Sequence, residues 1–374
     1  MIDLPAQAGR ALIAAGGTGG HVYPALAVAG RLLDSGWSVD WVGTERGIER
    51  RLVPAAGIPL HHLSVSGLRG KNPLAKWLGI FKLLLAVIES LMVIRRVQPD
   101  LVLGMGGYAA GPAGMAAWLT RCPLVIHEQN AIAGTTNRWL SPLSRRVLCG
   151  FSGQFASLQH AEVVGNPVRD ELQPVDRQEL EVLDRFSAGR PMRVLVLGGS
   201  LGAAPLNAML PQLVEVLRGR GSDESLTLWQ QCGQRNRPEA DKAWALLPFQ
   251  HLRCDDFIDD MALAYAWADV VISRAGALTI SELAHTGTAS ILIPLPHAID
   301  DHQTFNARVL AECGAAVLMP QRAVTPDGLA DLLEEWISTP STLANMSMAA
   351  SAAAQADATT RVVSVLTEVL HAAA

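Results

Sequence analysis

Short, unbroken apolar runs recur along this chain, and most of them stop at glycines or polar residues. Ala11-Leu12-Ile13-Ala14-Ala15 runs into Gly16-Gly17-Thr18-Gly19-Gly20-His21, and a helical pattern follows from Ala25 to Leu33. The second half repeats the plan. Val194-Leu195-Val196-Leu197 meets Gly198-Gly199-Ser200-Leu201-Gly202, followed by an Ala/Leu-rich helical stretch to Leu217. A continuous apolar run of this length marks a strand buried on both faces, which in a parallel sheet feeds a crossover helix through a tight turn. Further runs end at Gly104-Met105-Gly106-Gly107-Tyr108, His127-Glu128-Gln129-Asn130, Ser273-Arg274-Ala275-Gly276 and Pro294-Leu295-Pro296-His297. The pattern predicts an α/β protein of two Rossmann-like domains, with ligands at the loops that follow the carboxyl ends of strands. Turn chemistry in Val164-Gly165-Asn166-Pro167-Val168 places a hinge near the middle. Residues 1–164 and 342–374 are therefore expected in a first domain, to which the helical stretch Thr359–Ala373 returns, and 165–341 in a second.

Composition narrows the class. A chain of 374 residues with 49% hydrophobic and 17% charged residues fits two compact domains, not a disordered polymer. The net charge of −5 argues against nucleic acid as a partner. Five cysteines without a CxxC pair suggest reduced thiols, not a disulfide framework or a zinc site. Met1-Ile2-Asp3-Leu4-Pro5 lacks the basic start of a signal peptide, and the run Leu83–Ile94, broken by Glu89, is too short to span a bilayer. The expectation is a soluble or peripheral protein.

A glycine turn between strand and helix lets backbone N–H groups hold phosphate, although tight turns also use glycine for steric reasons alone. Neither loop carries the lysine of a P-loop, and neither offers the spaced glycines and acidic residue of a nicotinamide site. Two such loops suit two phosphate-bearing ligands, one per domain. His21, directly after the first loop, is the leading candidate for a general base acting on a sugar hydroxyl, against the plainer reading of a histidine that caps or packs the next helix. Glu128 occupies a comparable strand end as the alternative or assisting base. No catalytic metal is expected. His297 and His302 flank Asp300-Asp301 without metal-site spacing, and suit hydrogen bonds to a polar ligand better.

From Trp77 to Arg96 the apolar residues follow helical spacing, with Trp77, Ile80, Phe81, Leu84, Ile88 and Leu91 on one stripe. Arg69, Lys71, Arg95 and Arg96 lie around it. The stripe fits either a core helix over the first sheet or a surface that inserts at an anionic membrane.

Taken in order, these motifs resemble the MurG family. Its members move N-acetylglucosamine from UDP to undecaprenyl-pyrophosphoryl-N-acetylmuramoyl-pentapeptide. The resemblance is carried by Gly16 to Pro24, Ser66-Gly67-Leu68-Arg69-Gly70, Gly104 to Gly107, His127 to Asn130, Gly165-Asn166-Pro167-Val168-Arg169, Ser273 to Glu282 and Pro296 to Ala307. It implies the GT-B fold, two Rossmann-like domains facing across a cleft. The donor UDP-N-acetylglucosamine is then held mainly by the second domain and the lipid-linked acceptor by the first, with no tightly bound cofactor. It assigns Ser200 and the second glycine loop to the donor diphosphate, and Thr18, Gly19, Gly20, Asn130 and Arg169 to the donor site as well. The backbone of Ile258 is implied for uracil, Ala277-Leu278-Thr279-Ile280-Ser281 for the diphosphate, Glu282 for the ribose hydroxyls and Gln303 for the sugar. Gly106, Gly107 and Tyr108, with Arg69, Trp77 and Phe81, are assigned to the acceptor and membrane side. The implied reaction inverts the anomeric carbon and forms a β-1,4 linkage to the acceptor C4 hydroxyl, at the cytoplasmic face of the bacterial inner membrane. Cell-wall and division proteins are candidate partners. Leu201 and Gln230-Gln231-Cys232-Gly233 depart from the family's usual glutamine and His-Gln-Ser-Gly. Competing readings are a UDP-N-acetylglucosamine 2-epimerase of similar fold, which leaves the Trp77–Arg96 surface without a purpose, and a non-catalytic binder of lipid-linked sugar.

Overall fold

The computed structural model describes residues 9–64, 73–153, 155–158, 160–172, 190–199, 202–247, 249–296 and 298–372, with backbone alone for 73–78 and 299. The Ser66–Gly70 motif with Arg69, and Ser200 with Leu201, lie outside the described residues, as does the side chain of Trp77.

The first stretch alternates strand and helix: β1 (Arg10–Ala14), α1 (Gly19–Asp34), β2 (Ser38–Thr44), α2 (Glu49–Ala55), β3 (Leu60–Leu63), α3 (Pro73–Val97), β4 (Leu101–Gly104), α4 (Ala110–Thr120), β5 (Leu124–Glu128), α5 (Thr135–Leu140), β6 (Arg146–Cys149) and β7 (Ala161–Val163). The second continues with β8 (Met192–Leu197), α6 (Ala204–Arg220), β9 (Leu226–Gln231), α7 (Arg237–Leu246), β10 (Leu252–Asp255), α8 (Met261–Trp267), β11 (Val270–Ser273), α9 (Ala277–His285), β12 (Ala289–Leu292), α10 (His302–Ala311), β13 (Ala316–Leu318), α11 (Pro326–Ser338), α12 (Pro340–Ala352) and α13 (Ala358–His371).

Among the described residues the strands form two parallel sheets, ordered β3-β2-β1-β4-β5-β6-β7 and β10-β9-β8-β11-β12-β13. In each sheet the strand order reverses beside the first strand, between β1 and β4 and between β8 and β11. Crossovers leave in opposite directions there, which opens a crevice at the carboxyl ends of those strands. Both glycine loops follow the strands at these reversals. The middles of the central strands are apolar because helices cover both faces: Leu12, Ile13, Leu101 and Leu103 are fully buried, as are Val194, Leu195, Val270 and Ile272.

The chain divides into two compact units, Met1–Arg169 with Asp357–Ala374, and Asp170–Ala356. Helix α13 returns to the first unit and buries Val362, Val365, Leu366 and Val369 in the cluster that holds Val28 and Leu32 of α1. Arg361 fixes its start by donating to the Val163 carbonyl at 2.6 Å. The crossings differ from those read in the sequence, at 164 and 342. Residues 342–356 stay with the second unit because α12 buries Leu343 and Met346 in that unit's core, and Ser347 hydrogen-bonds the Gly287 carbonyl.

Candidate active site

The first glycine loop is shaped from below. The Trp41 indole donates to Ala15 O at 2.8 Å, and Gly17 N donates to Glu49 Oε2 at 3.0 Å. Gly17 takes φ +93°, a left-handed value that suits glycine. Thr18 is then extended at the head of α1, where its carbonyl accepts from His21 N and Val22 N, both at 3.2 Å. Thr18 Oγ1 lies 3.4 Å from His21 Nδ1. The half-buried imidazole rests against Gly106, where a Cβ would come within 2.6 Å of its Cδ2. Gly107 passes so close to Gly16 that its Cβ would sit 2.2 Å from the Gly16 carbonyl oxygen. Gly106 and Gly107 also have positive φ, +90° and +79°. Thr18, Gly19, Gly20, His21, Gly106 and Gly107 thus meet at the strand reversal of the first sheet. Tyr108 follows with 52% of its surface exposed. The Arg169 guanidinium stacks on Tyr23 of α1, 4.3 Å from the ring centroid.

The end of β5 ties three loops together. Glu128 is buried, and its two oxygens accept from Asn130 N and Nδ2 at 3.0 Å each, Gly134 N at 2.9 Å and Asn137 Nδ2 at 2.8 Å. Gln129 Nε2 donates to Met105 O at 2.9 Å, while its own carbonyl accepts from Asn166 Nδ2 at 3.0 Å. His127 Nε2 lies 2.9 Å from Gly165 O, so that nitrogen carries the proton. Burial pushes the His127 imidazole below its ordinary value and keeps it neutral. With four donors already on its carboxylate, Glu128 is engaged in building this loop, and Asn130 is held by the same contacts.

In the second unit, Gly198 and Gly199 open the loop after β8, and Gly202 at φ +72° passes the Cys232 carbonyl where a Cβ would come within 2.3 Å. Asn207 Nδ2 donates to that carbonyl at 2.8 Å. Helix α9 starts after Gly276, so the N–H groups of Ala277, Leu278 and Thr279 have no acceptor within the helix. Ile280 and Ser281 complete its first turns, and Glu282 is buried with Oε2 accepting from the Tyr265 hydroxyl at 2.9 Å. Ile258 is buried between β10 and α8. Gln303, in the first turn of α10, accepts from Leu295 N at 2.8 Å. The sequence reading did not single out Arg274, which is buried, donates to the carbonyls of Ile293 and Pro294 and to Gln321, and has no carboxylate within ion-pair distance among the described residues. Burial lowers its pKa from the ordinary guanidinium value. Among the described residues no cluster of histidine, cysteine or carboxylate is arranged to hold a metal ion.

On α3, Ile80, Phe81, Leu84, Ile88 and Met92 are exposed, at 48 to 66% of their surface, while Ala86, Ser90 and Ile94 face inward. Trp118 of α4, the helix against which α3 packs, is also exposed. No helix among the described residues is long and apolar enough to cross a membrane.

Two parallel sheets that each reverse beside a glycine loop are the two Rossmann-like halves of the GT-B fold, and the family matches make the chain a glycosyltransferase of that fold. Residues 11–149 match the glycosyltransferase family 28 N-terminal domain and residues 193–362 its C-terminal domain. The chain belongs to the MurG family of glycosyltransferase family 28. It is 49% identical over 360 residues to the UDP-N-acetylglucosamine--N-acetylmuramyl-(pentapeptide) pyrophosphoryl-undecaprenol N-acetylglucosamine transferase of Pseudomonas fluorescens Pf-5, spanning 96% of this chain and 98% of the relative. The enzyme of the same name from Tolumonas auensis is 46% identical over 353 residues, 94% of this chain and 97% of its own. The crystal structure of Acinetobacter baumannii MurG superposes with a TM-score of 0.78 at 36% identity, covering 96% of this chain and 99% of that one. A UDP-N-acetylglucosamine 2-epimerase from Listeria monocytogenes, at 15% identity and TM-score 0.68, shares the fold alone.

Proposed function

We propose that the chain transfers N-acetylglucosamine from UDP to the C4 hydroxyl of undecaprenyl-pyrophosphoryl-N-acetylmuramoyl-pentapeptide, with inversion at the anomeric carbon. The observation that carries the mechanism is the seat of His21. A half-buried imidazole stands on the first turn of α1, against Gly106, at the reversal point of the first sheet. His21 removes the C4 proton as the hydroxyl oxygen attacks the anomeric carbon and the bond to UDP breaks. Glu128 serves by holding the Asn130–Asn137 segment in place, since its oxygens are engaged by four donors. The second unit receives the nucleotide. The N–H groups at the start of α9 favour the diphosphate charge that grows as UDP leaves.

The acceptor carries a lipid, which gives the exposed face of α3 a use. Ile80, Phe81, Leu84 and Ile88 enter the anionic inner leaflet, with Lys82, Arg95 and Arg96 exposed on the same helix. The chain then works as a peripheral protein at the cytoplasmic face of the inner membrane.

UDP release is measured with and without a short-chain acceptor analogue. Acceptor-dependent release with a disaccharide product is expected, and release indifferent to the acceptor would overturn the reading. His21→Ala is expected to lower kcat by about 10²–10⁴-fold while donor binding is kept. Near-parental turnover at saturating acceptor would remove His21 as the base.

A further inference from the structure

Glu49 is fully buried at the first position of α2, and the mechanism above makes no use of it. Among the described residues no cation lies within ion-pair distance of its carboxylate. Three donors converge on it instead: Gly17 N on Oε2 at 3.0 Å, and Thr44 N and Oγ1 on Oε1 at 2.9 and 2.8 Å. Three glycines make room for it. A Cβ would come within 2.5 Å of Glu49 at Gly16, 2.7 Å at Gly43 and 1.8 Å at Gly47. A charged carboxylate is costly to bury without a cation, so a site fitted this closely around one points to a role that an apolar residue could not fill.

That role follows from where the donors come from. Thr44 ends β2, whereas Gly17 belongs to the turn from which α1 starts. By fixing the Gly17 N–H, the carboxylate fixes the plane of the Gly16–Gly17 peptide, one residue before Thr18. Thr18 in turn receives His21 through its carbonyl and stands 3.4 Å from the imidazole. We propose that Glu49 is a positioning residue for the transfer step, which sets the direction of His21 by holding the Gly17 N–H of the first glycine loop. The inference rests on the transferase reading and on His21 as the base.

The substitution tests the number of acceptor oxygens, since the carboxylate offers two and an amide one. In Glu49→Gln the single amide oxygen settles on Thr44, which offers two donors, and the amide nitrogen is left facing the Gly17 N–H. Thr44→Val removes one donor from the opposite oxygen and leaves Gly17 held, so it serves as the control. Three quantities are read on the full chain: acceptor-dependent kcat, the Kd for UDP-N-acetylglucosamine, and amide hydrogen exchange at Gly17. Glu49→Gln is expected to lower kcat at least about tenfold. It should also speed Gly17 exchange at least about tenfold and leave the donor Kd unchanged. Thr44→Val should keep kcat and Gly17 exchange close to those of the parent. If Glu49→Gln does not fold, Glu49→Asp, which withdraws the carboxylate by one methylene, carries the same expectations. Unchanged kcat in the glutamine or aspartate variant would overturn the proposal, as would an equal loss in Thr44→Val. Should the parent itself show no acceptor-dependent release, the transferase reading fails separately. Gly17 exchange then decides about Glu49, and protection that survives its substitution overturns the proposal.

Discussion

A methyl group on Gly107 would stand 2.2 Å from the Gly16 carbonyl oxygen, on a residue whose φ is already +79°. Gly17 has an equally positive φ, +93°, but nothing within 4 Å of a Cβ. The two positions therefore separate conformational strain from steric clash. Gly17→Ala should cost about 1–2 kcal/mol in urea unfolding, from φ alone. Gly107→Ala should cost more, about 3 kcal/mol or above, because two backbone segments must also move apart. Equal losses would show that the loops are not locked against each other. At this scale His21 was visible in the sequence because it abuts a glycine cluster. The partners of Glu49, Gln129 and Asn166 were not, since each bonds a backbone group 24 to 37 residues away in the chain. A single buried glutamate or asparagine carries no local signal of such a partner.

Helix α3 shows what periodicity leaves open. Its apolar spacing says that one face is apolar, but a stripe packed on a sheet and a stripe facing a bilayer look alike. The structure turns Ala86, Ser90 and Ile94 inward and leaves Phe81 66% and Leu84 59% exposed. Phe81→Ser combined with Leu84→Ser should thus barely change the unfolding midpoint. The same pair should weaken binding to vesicles of anionic phospholipid at least about tenfold, since each side chain fully buried in an apolar phase contributes about 1.5–3 kcal/mol. Unchanged vesicle binding would assign the membrane contact elsewhere. A large loss of stability would contradict the outward orientation of the face.

Across the whole molecule, each unit buries a neutral histidine that holds a connecting segment, His127 on Gly165 and His285 on the Leu172 carbonyl. Burial lowers both imidazoles from the ordinary 6.5. The unfolded chain then takes up protons that the folded one refuses. The stability due to neutral burial is complete above about 6.5 and is lost progressively as pH falls from there towards the lowered folded values. Urea midpoints should therefore drop from about pH 7 to about pH 5, with up to about 1.4 kcal/mol per pH unit from each histidine. Asn substitution at either position should flatten the decline, and an unaltered slope would refute the assignment. The repeated plan of apolar run, glycine turn and helix already determined two parallel α/β units and placed their loops at strand ends, because strand burial and tight turns are local demands on consecutive residues. It did not determine where the chain crosses between units. The turn residues at 164–168 stand close to the crossing after Arg169, but the return at Asp357 depends on which core receives Leu343 and Met346. Nor could it show that Glu128 is engaged by Asn130, Gly134 and Asn137, or that Glu49 lies beneath the first glycine loop. Those contacts join segments that come together only once the sheet has formed, so their hydrogen bonds are set by tertiary packing and not by sequence spacing.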